Sequence, residues 1–136
     1  MQQLFKPQID PAGHSPLELA YLGDAVYELL VRQHLVRKGA NKMNRLHRQA
    51  VKYVRADTQA KVLHALEKDL NSREQNIVRR GRNAKSGHVP KHARVIDYRY
   101  STGFESLVGY LYLIGDEERL RDIIELAAQI VQADQK

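Results

Sequence analysis

Three carboxylates stand in segments that otherwise look built for burial. Asp24 and Glu28 lie in ELAYLGDAVYELL (residues 18–30), and Glu105 lies in GFESLVGYLYLIG (residues 103–115). Burying a carboxylate is costly unless a cation, a metal ion or hydrogen bonds compensate. Asp24 and Glu28 are four apart, so they share one helical face and could converge on a metal ion. They could equally pair with some of the chain's 22 Lys and Arg, or lie at a subunit interface. The spacing alone leaves all three accounts open.

Glu105 has the same character. Gly109 lies one turn beyond it, as Gly23 lies next to Asp24. Glycine lets another backbone approach closely, so the two segments are expected to cross with their acids near the crossing. A plainer account competes, because Thr102-x-x-Glu105 also reads as a capping box.

A second chemistry is written in charge. The chain of 136 residues carries a net +6, and residues 79–94 (RRGRNAKSGHVPKHAR) hold six Lys/Arg, two His and no acid. Outside that segment 16 bases face 16 acids. A basic stretch of this kind suits an acidic partner, most often nucleic acid. Arg79, Arg80, Arg82, Lys85 and Lys91 are the candidate phosphate contacts. For Arg79 and Arg80 a simpler role exists, since cations are favoured at a helix C-terminus. His88 and His92 read as polar loop residues, and the other four His show no ligand spacing with them.

These residues need elements to position them. Ser15-Pro16-Leu17-Glu18 predicts a capped helix from 16 to about 38, stopped by Gly39. Asn41 can cap a second helix over about 42–54, and a third is expected over about 57–70. Ser72 with Gln75 suggests a capped helix to about Arg82. Gly87 and Pro90 mark a flexible basic loop at about 83–91. A short helix near 92–100, one from 103 to 114 and one from 117 to about 133 complete the chain. No useful stretch alternates with period two. The expectation is an all-α, single-domain bundle of six to seven helices over residues 1–136.

On a wheel, Leu19, Leu22, Val26, Leu29 and Leu30 form one stripe of the first helix; Leu17, Tyr21, Val31 and Leu35 form another around Asp24 and Glu28. That helix should be packed on both sides, with its acids partly buried. The second stripe and the apolar last helix (Ile123, Ile124, Leu126, Ala127, Ile130, Val131) offer more apolar surface than a short chain easily covers, which suggests an interface. The sequence has no Cys and 43% hydrophobic residues. It has no secretory leader pattern and no run of about 20 apolar residues. A folded cytoplasmic protein without a membrane partner is expected.

The motifs carry a resemblance. Leu19-Ala20-Tyr21-Leu22-Gly23-Asp24-Ala25-Val26 resembles the signature helix of the ribonuclease III family, and Phe104-Glu105-Ser106-Leu107-Val108-Gly109-Tyr110-Leu111 resembles its second acidic helix. Asn83-Ala84-Lys85-Ser86-Gly87, with Pro90-Lys91 following, and the absence of room for a separate double-stranded-RNA-binding domain look like its Mini-III branch. The resemblance implies a ribonuclease III catalytic-domain fold and a homodimeric, Mg²⁺-dependent endoribonuclease. It also implies a double-stranded RNA substrate, the stem of precursor 23S ribosomal RNA, with a ribosomal protein as candidate helper. A non-catalytic RNA-binding ribosome-assembly factor on the same scaffold is the alternative, and a small module for acidic protein surfaces is a third reading. Of the family's four acids, two match here, Asp24 and Glu105. The other two positions are Ala20 and Thr102, which argues against a two-metal site built by protein alone. Glu28 matches no family ligand.

The chemistry is consistent with that reduced set. Mg²⁺ takes oxygen ligands, keeps several waters and often binds through one or two carboxylates plus substrate phosphate. Asp24 and Glu105 suffice for one ion, held weakly until RNA arrives. A-form RNA hides its base edges in a deep, narrow groove, so duplex recognition relies on phosphates and 2′-hydroxyls.

Overall fold

Ser15 opens the first helix. In the computed structural model, which describes residues 11–39, 42–84, 91 and 93–135, its hydroxyl accepts from the Glu18 N–H at 3.2 Å. Glu18 Oε1 accepts in turn from the Ser15 N–H at 3.2 Å. With Pro16 in the first turn, α1 runs Pro16–Lys38 and stops at Gly39, whose φ of 78° suits a residue without Cβ. There follow α2 (Met43–Val54), α3 (Ala56–Leu66), α4 (Ser72–Asn83), α5 (Val95–Ile114) and α6 (Glu117–Asp134). Short 3₁₀ turns lie at Pro11–Gly13 and Glu67–Asp69. No strand occurs among the described residues. The all-α expectation holds, with six α-helices.

Four local expectations are corrected. The third helix ends at Leu66 and tightens into a 3₁₀ turn instead of running to 70. The cap of α4 is Asn71, not Ser72. Asn71 Oδ1 accepts from the Glu74 N–H at 2.8 Å, and Glu74 Oε1 accepts from the Asn71 N–H at 3.0 Å. The segments expected at 92–100 and 103–114 form one helix, α5. Thr102 is therefore no cap; its hydroxyl donates back to the Tyr98 carbonyl at 3.1 Å, inside the helix. Gly103, which read as a boundary, is a packing residue, because a Cβ there would come 2.9 Å from the Val78 carbonyl oxygen of α4. Asn41 lies outside the described residues, and α2 starts after Lys42 with no side-chain cap.

The core is built around α5. Phe104, Leu107, Val108 and Leu111 are fully buried, and α5 packs on α1, α4 and α3. Tyr27 of α1 meets Phe104 edge-on with centroids 5.0 Å apart, while its hydroxyl donates to the Tyr53 carbonyl of α2 at 2.9 Å. Glu74, 5% exposed, is held by Arg119 of α6 at 2.8 Å.

The apolar face of α6 is not left open. Leu120, Ile123, Ile124, Ala127 and Val131 are buried, and Leu126 and Ile130 pack against the core. The two stripes of α1 also resolve differently from expectation. Val31 and Leu35 are buried, but Leu17 is 38% exposed and Tyr21 86% exposed.

Candidate active site

α1 and α5 cross with their backbones in contact. A Cβ on Gly23 would overlap the carbonyl oxygen of Glu105, and a Cβ on Gly109 would overlap that of Leu19. The two glycines make the crossing possible, and the crossing brings Asp24 beside Glu105. The Asp24 carboxylate lies close enough for its charge to act on the Glu105 carboxyl group. The sequence-derived pairing of Asp24 with Glu105 is thus what the fold brings together. The plainer reading of Glu105 as half of a capping box falls, since Thr102 and Glu105 both lie inside α5.

Glu28 does not join them. It is half-exposed and pairs with Arg32 at 3.0 Å along the helix surface. Asp24 itself is exposed, not partly buried as its apolar neighbours suggested. The reason is that the face of α1 around Tyr21 and Asp24 is covered by no other described element. Ala20 and Thr102 are both buried and add no acidic donor.

The pair is electrostatically unbalanced. Burial first, and then the negative charge of Asp24, push the Glu105 carboxyl up to about 8. A hydrogen bond from Gln59 pulls in the opposite direction. Among the described residues, no cluster of three or more His, Cys, Asp or Glu could hold a metal ion. Two facing carboxylates, one of them open to solvent, fit a hard divalent cation that keeps most of its waters. Such a cation would remove the repulsion that raises Glu105.

Arg79 and Arg80 lie exposed toward the C-terminal end of α4, Arg80 in its last turn, with Arg79 donating to Asn76 Oδ1 at 2.7 Å. Arg82 is half-buried, its guanidinium 5.2 Å from the centre of the Tyr100 ring on α5. Lys91 is exposed. Lys85, Gly87, His88, Pro90 and His92 lie outside the described residues, so most of the expected loop does too. α4 meets α5 where Gly81 faces Ser106 and Gly103 faces Val78, within one turn of Glu105.

Sequence reasoning missed a second basic run. Residues 32–55 hold eight Lys/Arg and no acid. Acids elsewhere cancel them in a sum over the remaining chain, which is why the excess seemed confined to residues 79–94. A moving charge window would have found them. Lys38, Lys42, Arg45 and Arg48 line a groove of about 700 Å³ beside Tyr53 and Val131.

Residues 17–116 match the ribonuclease III domain family. The chain belongs to the ribonuclease III family. Its relatives place it in the Mini-III branch. A protein of Symbiobacterium thermophilum named Mini-ribonuclease 3 is 50% identical over 126 residues, covering 93% of this chain and 97% of that one. Another of that name from Brevibacillus brevis is 52% identical, covering 92% and 93%. A third, from Desulfitobacterium hafniense, is 56% identical over 85% of this chain and 73% of its own. A crystal structure of a Fusobacterium nucleatum protein superposes with a TM-score of 0.79 at 29% identity, covering 86% of this chain and 93% of that one. Membership in the family carries endoribonuclease chemistry. No helix among the described residues is long and apolar enough to cross a membrane.

Proposed function

We propose that this chain is a single-domain, Mg²⁺-dependent endoribonuclease. It acts in the cytoplasm as a homodimer, cuts double-stranded RNA, and has the stem of precursor 23S ribosomal RNA as its natural substrate. The observation that carries this reading is the meeting of Asp24 and Glu105 at the glycine crossing of α1 and α5. A protein that only binds RNA has no need to press two carboxylates together.

Asp24 and Glu105 would hold the metal ion. When bound, Mg²⁺ supplies an acidified water and neutralises charge on the phosphate under attack. The protein's own part is to hold both carboxyl groups facing one point, where a bound cation would favour the ionised form of Glu105. Arg79, Arg80, Arg82, Lys85 and Lys91 grip phosphates along the duplex, which selects shape over sequence. Arg82 does so from its place over the Tyr100 ring, so its charge is oriented before RNA arrives.

The dimer face is the exposed part of α1. Leu17 and Tyr21 border an apolar groove of about 430 Å³ with Leu22 and Leu113. An apolar patch of this kind on a small protein usually marks an interface. A second copy related by a twofold axis would fill each groove from the other side and present one site per RNA strand.

Ala20 and Thr102 favour one other reading, an RNA-binding ribosome-assembly factor without catalysis. One gel separates the two. The protein is incubated with a long RNA duplex, its single strand and a DNA duplex, in Mg²⁺ and in EDTA, beside Asp24→Asn. Duplex-only, Mg²⁺-dependent cutting that the variant lacks is expected. Tight duplex binding with no cutting in any metal would establish the assembly factor instead.

A further inference from the structure

Arg82 differs from the other arginines of α4. Its guanidinium carbon lies 5.2 Å from the centre of the Tyr100 ring, within the range of a cation–π contact. The ring is itself held. It packs against the core, and the imidazole of His64 on α3 lies 4.4 Å from it, centre to centre. Three helices thus meet at one stack. The main chain of Arg82 is fixed as well, since a Cβ on Gly103 of α5 would come 3.5 Å from its nitrogen. Gly103 and Tyr100 stand two and five residues before Glu105 on the same helix. The longer of these steps is roughly 7.5 Å along the axis. Both anchors of Arg82 therefore belong to the helix that carries Glu105. Arg79 and Arg80 are exposed, Arg79 bonds within its own helix to Asn76, and no ring covers either among the described residues.

A guanidinium stacked by its face keeps its N–H donors, which lie in its plane. Arg32, Arg55 and Arg119 each hold a carboxylate, whereas no acid pairs with Arg82 among the described residues. Its donors are left for a phosphate. An unrestrained arginine loses much rotamer freedom when it grips one; the stack has removed part of that freedom in advance. We propose that Tyr100 is a positioning residue: it fixes Arg82 as the phosphate contact that sets where the duplex lies against Asp24 and Glu105, while Arg79 and Arg80 supply attraction without position. This inference rests on the reading of the acid pair as the cutting site of a double-strand-specific nuclease.

A structural role competes. The stack also joins α4 to α5 and α3, and its loss alone would loosen the bundle. Two variants separate the roles without changing the charge. Tyr100→Leu removes the ring, and Arg82→Lys keeps the positive charge but loses the planar group that stacks. If the ring acts through the guanidinium, the two losses are one, and combining the variants costs nothing further. Independent structural damage adds instead.

The test measures single-turnover cleavage of an RNA duplex at saturation in Mg²⁺, beside duplex binding in EDTA at several salt concentrations. Wild type, Tyr100→Phe, Tyr100→Leu, Arg82→Lys and the double variant of the last two are compared. A small misplacement of reacting groups is costly, so Tyr100→Leu is expected to cut about tenfold more slowly. Its duplex affinity should stay within about threefold of wild type with an unchanged salt slope, because no charge is lost. Tyr100→Phe keeps the ring and should cut like wild type. The double variant should cut no more slowly than the slower single variant. Tyr100→Leu cutting at the wild-type rate, an equal loss in Tyr100→Phe, or a double variant that loses the product of the two single losses overturns the proposal. If wild type itself cuts no duplex, the nuclease reading falls and this inference with it. Should Tyr100→Leu fail to fold, Arg82→Lys is set against Arg79→Lys. Cleavage about fivefold slower in Arg82→Lys than in Arg79→Lys is expected, and equal rates overturn the proposal.

Discussion

The carbonyl oxygen of Glu105 occupies the space that a side chain on Gly23 would need. Both atoms belong to helix backbones, which cannot swing aside as a side chain can. Gly23→Ala must therefore push α1 and α5 apart. Overpacking of this kind costs about 1–3 kcal/mol, occasionally more. Urea unfolding should show at least that loss, and cleavage should fall by more than the unfolded fraction explains. A variant of wild-type activity would mean that the crossing does not set the distance between the acids.

The Glu105 carboxyl makes the metal-free protein pH-sensitive. Its folded value lies at about 8, against 4.5 unperturbed. The folded state therefore binds the extra proton more tightly than the unfolded state. That contribution to stability is full below about 4.5 and is lost as pH rises through about 8. Thermal melts in EDTA from pH 5 to 9 should descend. A metal ion requires the carboxylate, so Mg²⁺ binding near pH 7 should release a proton. Titration calorimetry in two buffers of different ionisation enthalpy would read that proton directly.

Phosphate gripping by the basic segment should be strongly salt-dependent. If about five contacts form, log affinity falls by roughly 4–5 units per decade of salt. The double variant Arg79→Ala, Arg80→Ala should flatten that slope by roughly two units. An unaltered slope would return both residues to a helix-capping role and turn attention to Arg45 and Arg48 in the groove beside α2.

Tyr21 is 86% exposed, so replacing it costs the isolated chain little. Tyr21→Glu should give a folded monomer by sedimentation, with the wild type sedimenting as a dimer. A monomeric wild type would remove the interface assigned to this face.

Glu74 is buried beneath Arg119, and the same carboxylate caps α4. Arg119→Met leaves that charge unpaired at a cost of about 2–3 kcal/mol. Duplex binding in EDTA should be unaffected, because the pair joins α4 to α6 away from the exposed arginines. A melting temperature equal to wild type would mean that water replaces the guanidinium.

The sequence made α1 legible almost to the residue, because Ser15, Pro16, Glu18 and Gly39 each carry a local conformational preference. The Asp24–Glu105 meeting was also readable, since a glycine beside each acid is an unusual combination in an apolar helix. Tertiary context defeated the rest. Gly103 and Thr102 look like punctuation in isolation, yet α4 needs the glycine for contact and the helix absorbs the threonine hydroxyl. The open face of α1 was hidden because periodicity shows which residues are apolar, not which neighbour arrives to cover them.

The crossing of α1 with α5 joins an early segment of the chain to a late one. Synthesis delivers Asp24 long before Glu105, and Gly109 later still. A nascent chain thus carries half of the acid pair and lacks the helix that would complete it. The two acids therefore cannot meet until α5 has been synthesised, and a chain cut short before that helix holds only one of them.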